Sequence, residues 1–105
     1  MGANALNILV IDDQKHDYRL VARALTRSNK TCKVSWAKRG EDAIGQIKRK
    51  AFDVAVLDYN LPGMDGLETL QKIRTLSSEL PTIFITGSGD ERTAVRALKL
   101  GANDY

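Results

Sequence analysis

The sequence predicts an α/β fold in which parallel strands alternate with helices. Short apolar runs recur along the chain, and the segments between them place apolar residues at helical spacing. Two of the apolar runs end in acids, the first at Asp12 and Asp13 and the second at Asp58. An alternating order of this kind is typical of a parallel sheet, whose ligands bind outside the carboxyl ends of the strands. The three aspartates are therefore expected at one edge of the sheet.

The first half of the chain contains two predicted strands and two predicted helices. The first strand covers Asn7–Asp12, and a helix follows from about Lys15 to Ser28, where apolar residues keep helical spacing. Polar and apolar residues alternate over Cys32–Ala37, which predicts the second strand. Helical spacing returns from about Gly40 to Lys50 and predicts the second helix.

The second half of the chain repeats this pattern. Val54–Asp58 is apolar at successive positions up to its final acid, as expected of a strand buried on both faces of a parallel sheet. Leu61–Gly66 is dense in turn residues, and a third helix is predicted from about Leu67 to Leu76. The fourth strand covers Thr82–Thr86, and the helix after it ends at Gly101, a residue suited to a helix C-terminus.

Length and composition restrict the class of protein. A chain of 105 residues forms one domain, and 43% hydrophobic with 28% charged residues is ordinary for a soluble globular protein. The apolar runs are strand-sized, and no basic segment with a long apolar core opens the chain. Neither a membrane-spanning helix nor a signal peptide is therefore expected. Cys32 is the single cysteine, which fits a reducing cytoplasm and predicts a half-buried strand residue.

Basic residues are concentrated in one part of the chain. Half of the 16 lysines and arginines lie between Arg27 and Lys50, where the acids are only Glu41 and Asp42. This pattern is typical of a solvated helix face. A nucleic-acid surface is the alternative, but no aromatic residues for base stacking are interleaved with the charges, so nucleic-acid binding is not expected of this domain.

Asp12, Asp13 and Asp58 are the residues that predict a chemistry. Carboxylates held close together repel strongly unless a cation lies among them. A cluster of oxygen ligands suits Mg²⁺, which takes carboxylates, carbonyls and water. The sequence therefore predicts a site for Mg²⁺ and an incoming phosphoryl group, with one aspartate free to act as the nucleophile.

With these residues placed, the chain closely resembles the receiver domain of bacterial two-component response regulators. The matching segments are Ile11–Asp13, Leu57–Gly66, Ile85–Gly87 and Gly101–Tyr105. The likeness spans essentially the whole chain, and the Asp-x-x-x-Pro-x-x-Asp-Gly pattern that begins at Asp58 makes it specific. It implies a flavodoxin-like (CheY-like), doubly wound parallel sheet with strand order 2-1-3-4-5.

The resemblance implies a role for each acidic residue. Asp58 is the implied phosphoacceptor, which takes a phosphoryl group from a sensor histidine kinase or a phosphotransfer protein. Asp13, Asp58 and the backbone carbonyl of Asn60 are the implied direct ligands of Mg²⁺. Asp12 is expected to reach the metal mainly through water.

Two further residues are implied in switching. Thr86 is expected to bond the phosphoryl oxygens and to move on activation, and Tyr105 resembles the aromatic residue that turns inward with it. Asn60 and Ser88 occupy the two variable positions that, in the family this chain resembles, tune the lifetime of the aspartyl phosphate. The expected recipient of the signal is a downstream output domain or partner, and no membrane is involved.

The end of the sequence departs from the family pattern. Family members carry a lysine on a fifth strand, a few residues past the switch aromatic, and this sequence ends at Tyr105. Residues 1–105 are therefore interpreted as one receiver domain that is incomplete at its C-terminus. It lacks most of the fifth strand and the fifth helix. An exposed fourth-strand edge is then expected to promote self-association.

Two other functions stay open beside the phosphoacceptor, which is not expected to be an enzyme. A phosphohydrolase with an aspartate nucleophile usually carries a second aspartate two residues later, and that position is Asn60 here. A pseudo-receiver would bind partners without phosphorylation. The missing lysine favours this alternative, and the complete set of acids argues against it.

Overall fold

The computed structural model describes residues 5–28 and 31–85, in which strands and helices alternate as predicted. The elements in chain order are β1 (Leu6–Ile11), α1 (Lys15–Ser28), β2 (Cys32–Ala37), α2 (Gly40–Arg49), β3 (Val54–Asp58), α3 (Gly66–Leu76) and β4 (Thr82–Ile85). Thr86, Ser88, Tyr105 and the predicted fourth helix with Gly101 lie outside the described residues. In the described part, no helix is both long and apolar enough to cross a membrane.

The first strand is shifted by one residue from its predicted range, Asn7–Asp12. It begins at Leu6 because this residue pairs with Cys32 in the parallel ladder. It ends before Asp12, whose side chain accepts a hydrogen bond from the Gln14 backbone N–H at 2.9 Å. That local bond turns the chain at the strand end, as aspartate side chains commonly do.

Two helix boundaries also differ from their predictions by one residue. The second helix ends at Arg49, because Lys50 has extended backbone angles (φ −145°, ψ 141°) although its N–H still bonds to Gln46. The third helix begins at Gly66, because the Asp65 side chain caps it by accepting from the Glu68 N–H at 2.9 Å.

The four described strands form one parallel sheet in the order β2-β1-β3-β4. This is the predicted order over the residues described, and it places β1 and β3 side by side. Ile11, the last residue of β1, is paired with Ala37 on one side and with Leu57 on the other. Asp12 and Asp58 therefore occupy the next positions on adjacent strands.

Helices cover both faces of the central strands, so β1 and β3 are apolar on both sides. On one face, α2 and α3 pack over a core that contains Leu9, Ile11, Leu57, Leu70, Ile73 and Phe84. On the other face, α1 packs through Tyr18, Val21 and Leu25 against Ile8, Val10 and Val56. Because β1 and β3 are buried on both faces, the acids at their carboxyl ends are held at one edge of the sheet.

Candidate functional site

Three carboxylates meet at the carboxyl edge of the sheet. Asp12 and Asp13 follow β1, and Asp58 ends β3. One carboxylate oxygen from each residue lies within 4.8 Å of the others. Asp12 is only 2% exposed, whereas Asp13 and Asp58 are half-buried. The structure thus brings together the acids that parallel strands were expected to bring together.

The main chain of Asp12 is held by the neighbouring strand. Its N–H donates to the Ala37 carbonyl at 3.0 Å, and its own carbonyl accepts the indole N–H of Trp36 at 2.7 Å. The Gln14 N–H donates to the carboxylate at 2.9 Å. Asp12 is consequently fixed at its backbone and at its side chain.

The pKa of Asp12 is raised from 3.8 to about 6, chiefly by burial. The hydrogen bond from the Gln14 N–H lowers this pKa, because it favours the charged form. Negative charge on Asp58, Asp17 and Asp13 contributes to the raised pKa. At neutral pH the Asp12 side chain is mostly a carboxylate, held in an unfavourable environment that a bound cation would relieve.

The pKa of Asp58 is also raised, chiefly by burial and then by the negative charges of Asp13 and Asp17. The backbone N–H of Asn60, which approaches the Asp58 carboxylate at 3.4 Å, lowers the pKa. Asp58 is therefore a half-buried carboxylate at the end of a rigid strand. That is a suitable position for a nucleophile that must meet a group from solvent.

The donor set fits a hard divalent cation. The converging atoms are carboxylate oxygens, which Mg²⁺ and Ca²⁺ prefer, and neither nitrogen nor sulfur belongs to the cluster. Both raised pKa values reflect negative charge that is buried and crowded, the conditions under which a cation is favourable.

The loop after Asp58 is shaped by two glycines. Gly63 has a positive φ of 73°, which a residue with a side chain rarely adopts. Gly66 lies against the strand end, and its N–H donates to the Tyr59 carbonyl at 3.1 Å. The exposed residue Asn60 lies at the start of this loop, two positions after Asp58.

Asp65 has a structural role in the same loop. Its side chain caps α3, as the bond to Glu68 shows, and it is not among the clustered carboxylates of the described residues. Asp65 therefore fixes the turn that leads into α3 at Gly66.

Two residues near the site were missed from the sequence. Asp17 is exposed in the first turn of α1, yet its charge raises the pKa of both Asp12 and Asp58. The signal in the sequence that could have identified Asp17 was its position in the first helical turn after Asp12 and Asp13. The role of Trp36 has no local signal in the sequence, because its bond to Asp12 spans 24 positions.

Thr86 and Tyr105 lie outside the described residues, so their implied roles stay predictions. The four candidate ligands fall inside the described part of the chain. Three are brought together through their carboxylates, and Asn60 adjoins them through the loop that follows Asp58.

Comparison with known proteins gives a consistent match. The family described as the response regulator receiver domain matches residues 8–105. Transcriptional regulatory protein ZraR of Salmonella typhimurium is 37% identical over 100 residues, which cover 95% of this chain and 22% of that protein. The chain thus spans about a fifth of the length of this curated relative.

Solved structures confirm the predicted fold class. A receiver domain protein from Methanospirillum hungatei, described as CheY-like, superposes with a TM-score of 0.87 at 27% identity, over 96% of this chain and 79% of that one. A response regulator from Burkholderia pseudomallei is described with a phosphorylated aspartic acid, a calcium ion and citrate. It superposes with a TM-score of 0.86 at 29% identity, over 95% of this chain and 58% of that one.

Proposed function

The chain belongs to the response regulator receiver family, and from this premise we propose that Asp58 is the phosphoacceptor of a two-component phosphorelay. The observation that best supports this proposal is the convergence of Asp12, Asp13 and Asp58 within 4.8 Å. The proposed donor is a phosphohistidine on a sensor histidine kinase or a phosphotransfer protein. The domain acts as a signalling switch with no separate substrate, so it is not a dedicated enzyme.

The proposed reaction is a phosphoryl transfer from nitrogen to oxygen. A carboxylate oxygen of Asp58 attacks phosphorus, and a P–O bond forms as the P–N bond breaks. The electron pair of the broken bond stays on the imidazole nitrogen. Asp58 must be deprotonated to react, and the Asn60 N–H supports the charged form.

Asp13, Asp58 and the backbone carbonyl of Asn60 are the proposed direct ligands of Mg²⁺, and Asp12 acts mainly through water. When bound, the ion supplies positive charge that offsets the clustered carboxylates and the transferred phosphoryl oxygens. The proposal of an indirect role for Asp12 is supported by its exposure, because as a whole residue it is buried whereas Asp13 and Asp58 are half-buried.

The signal is proposed to leave the site through Thr86 and Tyr105. Thr86 bonds the new phosphoryl oxygens, Tyr105 turns inward with it, and Asn60 and Ser88 set the lifetime of the modified state. An added phosphoryl group brings charge and acceptor oxygens that bias such a two-state element. Residues 1–105 are proposed to belong to this one receiver domain, which works in the cytoplasm on an output domain or partner.

The test uses phosphoramidate, a small donor with a P–N bond, and reads intact mass with and without Mg²⁺. The expected result is a Mg²⁺-dependent gain of one phosphoryl group that Asp58→Asn abolishes. Asp53→Asn is the matched control, because Asp53 is exposed just before the opposite end of the same strand.

Three results would contradict the proposal. One is no gain of mass in the wild type. Together with partner binding that persists, this result would favour the pseudo-receiver. Another is a gain that survives Asp58→Asn. The third is sustained release of phosphate from a phosphate ester, which indicates a phosphohydrolase.

A further inference from the structure

We propose that Trp36 is a positioning residue for the cation site, acting through its hydrogen bond to the Asp12 carbonyl. This inference rests on the proposed function, because it assigns a role to a residue that supports the same site. Trp36 belongs to β2, a strand that contributes no carboxylate to the cluster formed by the described acids. The role is therefore one of placing Asp12, with no contact to the reacting atoms.

The bond from Trp36 to Asp12 is short and directional. Nε1 lies 2.7 Å from the Asp12 carbonyl oxygen, at the short end of the range for such bonds. An indole N–H can only donate, so Trp36 is the donor of this bond and the Asp12 carbonyl is the acceptor. In the ladder Trp36 pairs with Val10, and its side chain reaches forward to the residue that follows β1.

The indole is itself held in place from α1. The Tyr18 ring stacks on it with centroids 5.2 Å apart and an angle of 13° between the planes. Tyr18 comes from the helix that follows the acidic strand end. The stack restricts rotation of the indole, so the N–H stays aimed at Asp12.

The backbone of Trp36 is held from α2. Gln46 donates its side-chain N–H to the Trp36 carbonyl at 2.9 Å. Helices on both sides of β2 therefore support a residue whose side chain ends at the acidic site. In many metal sites, contacts that hold the ligating residues in place tune the affinity for the metal.

The two bonds from β2 bracket the main chain of Asp12. The Ala37 carbonyl accepts the Asp12 N–H, and Trp36 donates to the Asp12 carbonyl. Together they hold the start of the turn that carries Asp12 and Asp13 close to Asp58. Because the carboxylates repel one another, loss of this hold lets the turn relax and the cation site loosen.

Packing alone predicts a different result. If Trp36 only fills space, replacing it lowers the melting temperature and leaves the affinity for Mg²⁺ unchanged. If it positions Asp12, affinity falls even when the ring is conserved. Trp36→Phe separates the two, because phenylalanine keeps a ring for Tyr18 to stack on and lacks the N–H.

The experiment titrates the full chain with Mg²⁺ alone and follows backbone amides by two-dimensional NMR. We expect the dissociation constant of Trp36→Phe to be about 3- to 10-fold higher than that of the wild type. Phe52→Leu is the matched control. Phe52 packs on the core just before the start of β3, away from the acids. The Phe52→Leu variant should therefore bind Mg²⁺ with the wild-type affinity.

A second readout needs no substitution. Trp36 is the single tryptophan, so its indole N–H gives one resonance in the wild type. We expect this resonance to shift saturably with the same dissociation constant as the amides of Asp13 and Asp58. If Trp36→Phe does not fold, this measurement still tests whether the bond from the indole to Asp12 responds to the cation.

The inference is overturned if Trp36→Phe binds Mg²⁺ as tightly as the wild type, or if the indole resonance stays still while the Asp58 amide shifts. Failure of the proposed function has a different signature. In that case the wild type itself shows no saturable shift at Asp12, Asp13 or Asp58, and the inference falls with it.

Discussion

Gly66 lies so close to Asp58 that a side chain does not fit between them. A Cβ built at Gly66 would stand 2.7 Å from the Asp58 carbonyl oxygen and 2.7 Å from the Tyr59 Cα. Both neighbours are backbone atoms, so neither can rotate away. The first residue of α3 is therefore packed directly against the end of the strand that presents Asp58.

The first prediction concerns Gly66→Ala. The added methyl group forces the β3 end and α3 apart, so we expect a loss of about 1–3 kcal/mol in the free energy of unfolding. We also expect slower phosphorylation, because the carboxylate of Asp58 moves with its backbone. Urea denaturation measures the first effect, and intact mass over time measures the second.

Gly45→Ala is the matched control for this substitution. Gly45 lies within α2, where the nearest atom to an added Cβ is the flexible Arg49 Nη1 at 3.6 Å. Removing a glycine from a helix interior should raise the free energy of unfolding by about 0.5–1 kcal/mol. Wild-type stability in Gly66→Ala would show that the strand end and the helix separate without cost.

The fold was largely predictable because its signals are local. The apolar stretch of Val54–Asp58 indicates a strand covered on both faces, and the acids after β1 and at the end of β3 mark one edge of the sheet. A capping signal at Asp65, with Glu68 three residues later, is also local, but the predicted helix began at Leu67, one residue after the observed start at Gly66.

The remaining features depend on distant parts of the chain. The bond from Trp36 to Asp12 requires the register of β1 against β2 together with one orientation of the indole. The contact between Gly66 and Asp58 requires the path of the whole connecting loop. Neither is encoded in spacing along the sequence, so sequence reasoning placed the acids but not their supports.

The second prediction concerns pH and Asp12. Its pKa is about 6 in the folded protein against 3.8 ordinarily, so the folded state binds the proton more tightly than the unfolded state. The contribution of Asp12 to stability is therefore most favourable below about 3.8 and is lost as pH rises to about 6. Without added divalent cation, the wild type should lose stability relative to Asp12→Asn across this window.

Urea midpoints of the two proteins, measured at intervals across that pH range, provide the test. Asp12→Asn cannot titrate at this position, so the difference between the curves isolates Asp12. Subtracting the variant also removes most of the contribution of other acids. Parallel curves would contradict the raised pKa.

The third prediction concerns Mg²⁺ and stability. A cation that binds the folded cluster and not the unfolded chain stabilises the folded state, by about 1.4 kcal/mol at ten times its dissociation constant. Asp13→Asn removes a half-buried carboxylate from the cluster, so the same Mg²⁺ concentration should give little or no gain. Thermal melting in magnesium chloride, against sodium chloride of equal ionic strength, measures the difference.

Asp53→Asn serves as the control in that comparison. Its side chain accepts a hydrogen bond from the Asn7 N–H at 2.7 Å on the edge of the sheet opposite the acids. This variant can be less stable than the wild type and still show the full increase with Mg²⁺. A gain in Asp13→Asn as large as that in Asp53→Asn would mean that the ion binds elsewhere.

The fourth prediction concerns Asp17, an exposed acid that raises the pKa of both Asp12 and Asp58 without belonging to their cluster. Asp17→Asn removes this negative charge, so the pKa of each of the two carboxyls should fall. Because Asp17 also contributes to the negative field that attracts cations, Mg²⁺ should bind the variant less tightly, and the difference should shrink as salt is added.

Carboxyl carbon NMR follows the titrations, with Asp42→Asn in the first turn of α2 as the matched surface control. Unchanged titration of Asp12 and Asp58 in Asp17→Asn would show that solvent screens the α1 charge from the site, and the electrostatic role of Asp17 would then be rejected.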